Sequence, residues 1–566
     1  MKQHYLQMVR GLDLAYERIK TKVINDPDHL FNGGYADLYG IPETTNAAGI
    51  MHNFICAYCC KESKYHQNSE VLERINAVCG YIMRLTNPDC TSNLLISDYH
   101  APATFDLLSI VRAYRIFLKY ADKTSAEKET ARRVLTVITR HAKGMLATGF
   151  RTPNHRWMEA AALLMTHNIL GWPALKEKAD KYLAEGIDID AYGEFTERSA
   201  GMYNAVNDNA LLTIAEEGNH PEIYQYVEKN MNLLFSYIEC DGSIFTQNSR
   251  RKDKGEGSAS GKFFPGHPYY FLYLWAGHVL KNKKYLKFAE EIFNDSVDNN
   301  RGAPNAVWVY LLNPELIDWD SEKDLKDIEI PKTYSAFYPL SNIYRCCKEY
   351  FSYSIIANNP NFLFVKCGDL NIYVRACASF FAIAQFVPTE VIKTDEGYCM
   401  EITAVDDYML PFETPPATSD WFAMDHSSRK KVCICTLKIT IDFIELENGL
   451  KLRVRTEGTE KVPFKLEYVV IPNCKVETQN FVMDAHGGEY ISLKNGNVRL
   501  EHIEKGHTIT IKGMFSKHLY HTALRGSVPQ VKDSFTIYST DFTPIDREVE
   551  ILCTMRKSTY TDADKI

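Results

Sequence analysis

Phe105-Asp106-Leu107-Leu108-Ser109-Ile110-Val111-Arg112-Ala113-Tyr114-Arg115-Ile116-Phe117-Leu118-Lys119-Tyr120 repeats its apolar side chains with a helical period, at Phe105, Leu108, Ile110, Val111, Tyr114, Phe117 and Leu118. The same period runs outward through Ala126 to Leu146, Trp157 to Leu170, Ala205 to Ala215, Ile223 to Ile238 and Tyr269 to Leu280. Short connections bearing Gly, Pro, Asn or Asp join these segments, as in Gly171-Trp172-Pro173 and Gly218-Asn219-His220-Pro221. Consecutive helices joined this tightly pack as antiparallel hairpins. About ten of them are most economically arranged as an incomplete ring of inner and outer helices, although no strict sequence repeat is visible.

From Asn313 to Thr333 the chain turns rich in Asp, Glu, Lys and Pro and reads as a connector. Beyond it the period falls to two. Lys431-Val432-Cys433-Ile434-Cys435-Thr436-Leu437-Lys438-Ile439 and Leu450-Lys451-Leu452-Arg453-Val454-Arg455 are strands, with Asn448-Gly449, Asn495-Gly496 and Lys505-Gly506 as hairpin turns. The expected fold is therefore α+β and multidomain. An N-terminal incomplete (α/α) toroid over residues 1–312 is followed by a linker over 313–335 and a C-terminal antiparallel β-sandwich over 336–566.

Composition narrows the function. The 566 residues suffice for two substantial cores, and 45% apolar with 24% charged residues is ordinary globular usage. A net charge of −8 supplies no global basic field, which argues against a nucleic-acid partner. The N-terminus, Met1-Lys2-Gln3-His4-Tyr5, lacks the apolar core of a signal peptide, and no segment is long and apolar enough to span a bilayer, so a cytoplasmic protein without a membrane partner is expected. An odd count of 15 cysteines in so large a chain fits reduced thiols. Aromatics reach 12%, with 34 Tyr, a composition that serves both half-buried cores and clefts where sugar rings stack.

Two helix starts carry the chemistry. In Thr152-Pro153-Asn154-His155-Arg156, Thr152 caps and Pro153 takes the first helical position, placing Asn154 and His155 in the first turn. In Glu197-Arg198-Ser199-Ala200-Gly201-Met202-Tyr203-Asn204, Ser199 is the expected cap and Tyr203 again lies in a first turn. Free backbone N–H groups and the helix dipole favour negative charge at such starts. If both helices are inner ones of the same polarity, amide, imidazole and phenol converge at one end of the ring. Those groups suit removal of a proton α to a carboxylate, because amide or Arg donors stabilise the developing dianionic enolate, and Asn154 and Arg156 are placed to do so. A free phenol is a poor base at neutral pH, so Tyr203 would need a neighbouring cation, His155 or Arg198, and could then pass the proton to the leaving oxygen.

Asn154-His155 at a helix start, followed by Glu197-Arg198-Ser199-Ala200-Gly201-Met202-Tyr203, resembles the Asn-His and Glu-x-Ser-x-x-Tyr elements of heparinase II/III-like polysaccharide lyases. That resemblance implies a toroid followed by a sandwich, the order read above. It also implies that Asn154 neutralises a uronate carboxylate, that His155 assists as base or charge stabiliser and that Tyr203 is the base and acid. Asn204 departs from the pattern, standing where many members carry His. The implied reaction is β-elimination at a glycosidic bond to a uronic acid, leaving an unsaturated uronyl end on an acidic oligosaccharide or polysaccharide, with short oligosaccharides suited to a cytoplasmic enzyme.

Two rivals stand beside it. A toroidal glycoside hydrolase would use a carboxylate pair drawn from Asp188, Asp190, Glu194 and Glu197. A non-catalytic glycan-binding protein would bind without turnover. Further substrate contacts are Glu197 and Arg198, His100 before the helix near Ala103, and His267 in Gly266-His267-Pro268-Tyr269. Arg250 and Arg251 lie in the polar loop Ser249 to Ser258, which either closes over an acidic glycan or is a solvated excursion. His426, in Trp421-Phe422-Ala423-Met424-Asp425-His426, is a candidate from the second domain. No cofactor is expected to be required. A divalent metal has only weak candidates: the Asp425-His426 pair, and His52 with Cys56 and Cys60 on one helical face, where buried inert thiols are the simpler reading.

Overall fold

The computed structural model describes residues 1–35, 44–91, 104–121, 123–254, 262–319, 321–520 and 523–555. Helices fill its first part: α1 (Lys2–Lys20), α2 (Thr44–Cys59), α3 (Ser69–Leu85), α4 (Thr104–Tyr120), α5 (Ser125–Ala147), α6 (Pro153–Leu170), α7 (Pro173–Ala184), α8 (Tyr203–Glu217), α9 (Tyr224–Phe235), α10 (His267–Val279), α11 (Lys283–Asp298) and α12 (Val307–Leu312). Sequence neighbours α2/α3, α4/α5, α6/α7, α8/α9 and α10/α11 pack as pairs. The even helices α2, α4, α6, α8 and α10 also pack on one another in succession, while α3, α5 and α7 form a second row. This is the incomplete (α/α) toroid.

Burial separates the rows. Inner α6 is enclosed without a break from Trp157 to Thr166, and α10 from Tyr269 to Gly277, as a helix with protein on all sides must be. Outer α11 buries one stripe only, from Tyr285 through Leu286, Phe288, Ala289, Ile292 and Phe293 to Ser296. Local signals end the elements as expected. Gly171 closes α6 in the left-handed region at φ 68°, and Thr124 with Glu127 forms a capping box on α5.

The chain divides into Met1–Phe235 with Phe264–Ile330, and Ser236–Phe263 with Pro331–Ile566. The boundary drawn from sequence at 312 is therefore corrected twice. The acidic connector stays with the helices as far as Ile330, and residues 236–263 leave them for the sandwich. That excursion is held by Tyr334 Oη donating to Ile238 O at 2.8 Å, Arg345 Nε donating to Ser236 O at 2.8 Å, and Asn359 Nδ2 donating to Gln247 O at 3.1 Å. Its partners lie some hundred residues downstream, beyond the reach of local periodicity.

The second unit contains an eight-stranded and a nine-stranded sheet. Their facing side chains, among them Val365, Ile372, Leu466 and Ile537 from one and Ile439, Leu452, Ile509 and Ile551 from the other, make a single core. Pairing is antiparallel except where Tyr490–Ser492 runs parallel to Phe535–Phe542. The turns near Asn448-Gly449 and Lys505-Gly506 join antiparallel neighbours. Asn495-Gly496 does not make a hairpin: it carries the chain from Tyr490–Ser492 in one sheet to Asn497–His502 in the other. The fifteen cysteines are free thiols. Among the described residues no helix is long and apolar enough to cross a membrane.

Candidate functional site

The inner helices run the same way. Near their starts, Asn154 Nδ2 of α6 donates to both carboxylate oxygens of Glu197, just before α8, each at 2.9 Å. At their far ends, Asn168 Nδ2 of α6 donates to Glu217 O of α8 at 2.9 Å. Tyr269 Oη, near the start of α10, donates to Ala200 O in the segment leading into α8 at 2.5 Å. Phe105, near the start of α4, meets the His155 ring edge-on with centroids 5.2 Å apart. Four inner-helix N-termini therefore gather at one end of the helical unit, where the helix dipoles favour an anion.

The segment before α8 is shaped for this placement. An Ile189–Phe195 bridge closes it into a small loop, and Gly193 at φ 93° packs where a Cβ would stand 2.3 Å from Lys229 O. Arg198 is left-handed at φ 51°, an uncommon state for a residue with a side chain. The N-cap of α8 is Met202 and makes no side-chain cap bond, so the expectation that Ser199 is the cap is corrected; Ser199 Oγ, three residues earlier, accepts the Tyr203 N–H at 3.1 Å. Asn154 is 0% exposed, and Glu197 is buried with it. His155 and Tyr203 are half-buried, so the groups expected to move protons keep access to solvent. Among the described residues no donor reaches Asn154 Oδ1.

Arg156 turns elsewhere. It pairs with Glu185 at 2.8 Å and Asp188 at 3.2 Å and lies over the Trp157 ring, 4.1 Å from its centroid. Asp188 also accepts from Trp157 Nε1 at 2.6 Å, and Asp190 accepts from the N–H groups of Tyr192 and Glu194 at 2.8 and 3.0 Å. Asp188, Asp190 and Glu197 are thus each engaged in holding the loop or the helix starts.

A second polar group in this unit escaped the sequence reading. Arg112 of α4, buried, donates to Asn209 Oδ1 at 3.0 Å and Thr213 Oγ1 at 3.1 Å, and lies 4.2 and 5.5 Å from the Trp308 and Trp275 ring centroids. Burial pushes its guanidinium down to about 10. His52 stands beside this group, its Nδ1 3.1 Å from Ser109 Oγ. Burial, with help from Arg112 and His267, lowers it to about 4. His267 opens α10; solvent reaches it, yet the surrounding protein strips enough hydration to lower it to about 4 as well. One Arg in an apolar helix gives no sequence signal beyond its rarity there.

The other candidates are scattered. His100 lies outside the described residues. Arg250, exposed, and Arg251, half-buried, belong to the sandwich unit rather than the helical one; beside them Ser249 Oγ donates to buried Asp253 Oδ1 at 2.5 Å. His426 is used within its own loop, with Nε2 2.7 Å from Trp421 O and Nδ1 accepting from Arg429 Nε at 3.1 Å. Cys56, Cys59 and Cys60 are buried thiols raised by desolvation. Among the described residues no group of three His, Cys, Asp or Glu side chains is placed to hold a metal ion.

No protein-family model matches the chain, and no curated protein sequence does. Solved structures do. A xanthan lyase from Paenibacillus aligns over 98% of this chain and 57% of its own, with a TM-score of 0.57 at 10% identity. A chondroitin AC lyase from Streptomyces coelicolor aligns over 98% of this chain and 80% of its own, with a TM-score of 0.52 at 10% identity. The chain thus spans little more than half the length of the xanthan lyase, and the shared property is the fold, a helical toroid followed by a sandwich.

Proposed function

We propose that the chain is a carbon–oxygen lyase that cleaves a glycosidic bond to a uronic acid by β-elimination. The observation that carries the reading is the joining of two helix starts: Asn154 of α6 grips Glu197, and Ser199, two residues on, holds the first N–H of the helix that Tyr203 begins. Asn154, His155 and Tyr203 thereby share the N-terminal end of the inner helices. The fold shared with two lyases acting on acidic polysaccharides supports the same reading.

In the proposed reaction the uronate carboxylate binds at this end, where the helix starts withdraw its charge, and Asn154, itself enclosed, holds the two starts together through Glu197. Tyr203 takes the proton from the carbon beside the carboxylate. The electron pair left behind becomes a carbon–carbon double bond as the bond to the glycosidic oxygen breaks, and that oxygen receives the proton. Glu197 acts through Asn154 and is a positioning residue, and Arg156 steadies the loop through Asp188. The step runs on these side chains and invokes no cofactor. Hydrolysis is the weaker reading because, of the four acids it would draw on, Asp188, Asp190 and Glu197 already have structural partners and Glu194 is buried.

A screen of uronate-containing oligosaccharides for ultraviolet-absorbing product tests the proposal, with Tyr203→Phe and Asn154→Ala beside the wild type. Unsaturated product from the wild type alone supports it. Cleavage to saturated sugars would establish a hydrolase, and binding without turnover a glycan-binding protein.

A further inference from the structure

The sandwich unit contains a cavity of about 300 Å³ for which the lyase reading has no use. Its walls come from that unit alone: Glu239, Ser243 to Gln247 and Lys262 of the excursion, Phe364, Lys366, Asn371 and Tyr373 of two adjacent strands, and Asn473 and His502 beyond them. Three lysines converge there on two aspartates. Lys366, only 3% exposed, places Nζ 2.8 Å from Asp241 Oδ1 and 2.6 Å from Ser243 Oγ. Lys262 bridges Asp241 at 3.1 Å and Asp369 at 2.7 Å, and Lys505 reaches the other oxygen of Asp369 at 2.5 Å. Glu239 is already matched by Arg345 at 3.3 Å. Counted with Lys505, whose side chain is 57% exposed and stands outside the cavity wall, the group keeps one positive charge in excess.

Two amide oxygens of the wall also lack a donor among the described residues. Asn371, 6% exposed, has no donor to its Oδ1, and neither has Asn473, whose Nδ2 is spent on Asp369 O at 3.2 Å. A buried carbonyl oxygen without a donor is costly unless something supplies one. Sulfate would match the charge but bring no hydroxyls, and a neutral sugar would bring hydroxyls but leave the charge unmatched. The aromatic walls Phe364 and Tyr373 suit the C–H face of a ring, and the volume lies at the small end of ligand pockets, enough for one ring.

We propose that this cavity is a binding site for a single sugar-sized hydroxylated carboxylate, held by Lys262 and Lys366 through its charge and by Asn371 and Asn473 through its hydroxyls. Burial alone would raise the Asp369 carboxyl, but Lys262 and Lys505 hold it well below the usual carboxylate range, so the ionic group persists in neutral solution. The site stands apart from the lyase reading.

Titration calorimetry of the full chain with D-glucuronate tests it, with D-glucose and acetate as the uncharged and unhydroxylated comparisons. Glucuronate alone should bind saturably, one per chain, and equally well to Asn154→Leu, which disables the helical site. Lys262→Gln and Asn371→Asp should each weaken binding by about tenfold or more, with Lys262→Arg recovering part of it. If one of the two weakened variants fails to fold, the other decides alone. No saturable binding, equal binding of glucose or acetate, or a loss with Asn154→Leu but not with Lys262→Gln would each overturn the assignment.

Discussion

The helical unit pairs some of its buried ionisable groups, as Glu159 with Lys178 at 2.8 Å, but leaves others without the ionic partners that buried groups of the sandwich have. In the sandwich, Arg345 meets Glu239 at 3.3 Å, Lys366 meets Asp241 at 2.8 Å, and Arg375 and Lys465 both meet Glu467 at 2.6 Å. In the helical unit, Asp208 of α8 is fully buried with no partner on either oxygen, His141 of α5 has none on either ring nitrogen, and Arg112 has only neutral oxygens and indole rings within bonding reach. Tyr273 and Tyr285, close enough to be affected by Asp208, donate instead to Met231 O at 2.6 Å and Glu228 O at 3.3 Å. Paired charges hold a scaffold together. Unpaired ones cost stability, and two of them, Arg112 on α4 and Asp208 on α8, stand on helices whose starts belong to the candidate site.

The sharpest way to break the contrast is Tyr203→Phe. Removing one oxygen at the start of α8 should cut turnover by about 10²–10⁴-fold while leaving the melting profile unchanged. A comparable loss of stability would make Tyr203 part of the scaffold. The reciprocal change is Arg345→Met, which strands Glu239 in the sandwich and should cost about 3–5 kcal/mol, seen as an earlier denaturant transition, with no effect on product identity.

Acid should separate the units next. His52 and His141 are lowered by burial to about 4, whereas free imidazole titrates near ~6.5. As pH falls from about 6.5 toward 4 the unfolded chain gains protons that the folded one refuses, so the helical unit loses stability across that window. Hydrogen exchange should show its inner helices opening before the sandwich strands. Asp208 has the opposite sign and a smaller expected effect. Burial raises its carboxyl well above the free value, so its stabilising contribution is complete below pH ~4 and declines as pH rises toward the folded pKa. Asp208→Asn should therefore melt a few degrees higher than the wild type at neutral pH and at the same temperature near pH ~4.

Much of this architecture was legible because it is local. Periodicity separates Phe105 to Tyr120 from Lys431 to Ile439 without reference to anything distant, and Thr152-Pro153 marks where α6 begins. What failed was non-local. Residues 236–263 join the sandwich because Arg345, Tyr334 and Asn359 hold them, and no pattern within the segment announces partners so far away. Glu197 is legible as part of a motif, but its grip on Asn154 is not, since that bond depends on α6 and α8 lying side by side. Arg112 is missed for the same reason: its oxygens come from α8 and its rings from α10 and α12.

The central claim is that the starts of α6 and α8 act as one site on one substrate. A double-mutant cycle on turnover, with Asn154→Ala, Tyr203→Phe and both together, tests it most directly. If the claim holds, the double variant falls no further than the worse single one. Losses that multiply, each substitution acting as though the other were absent, would contradict it.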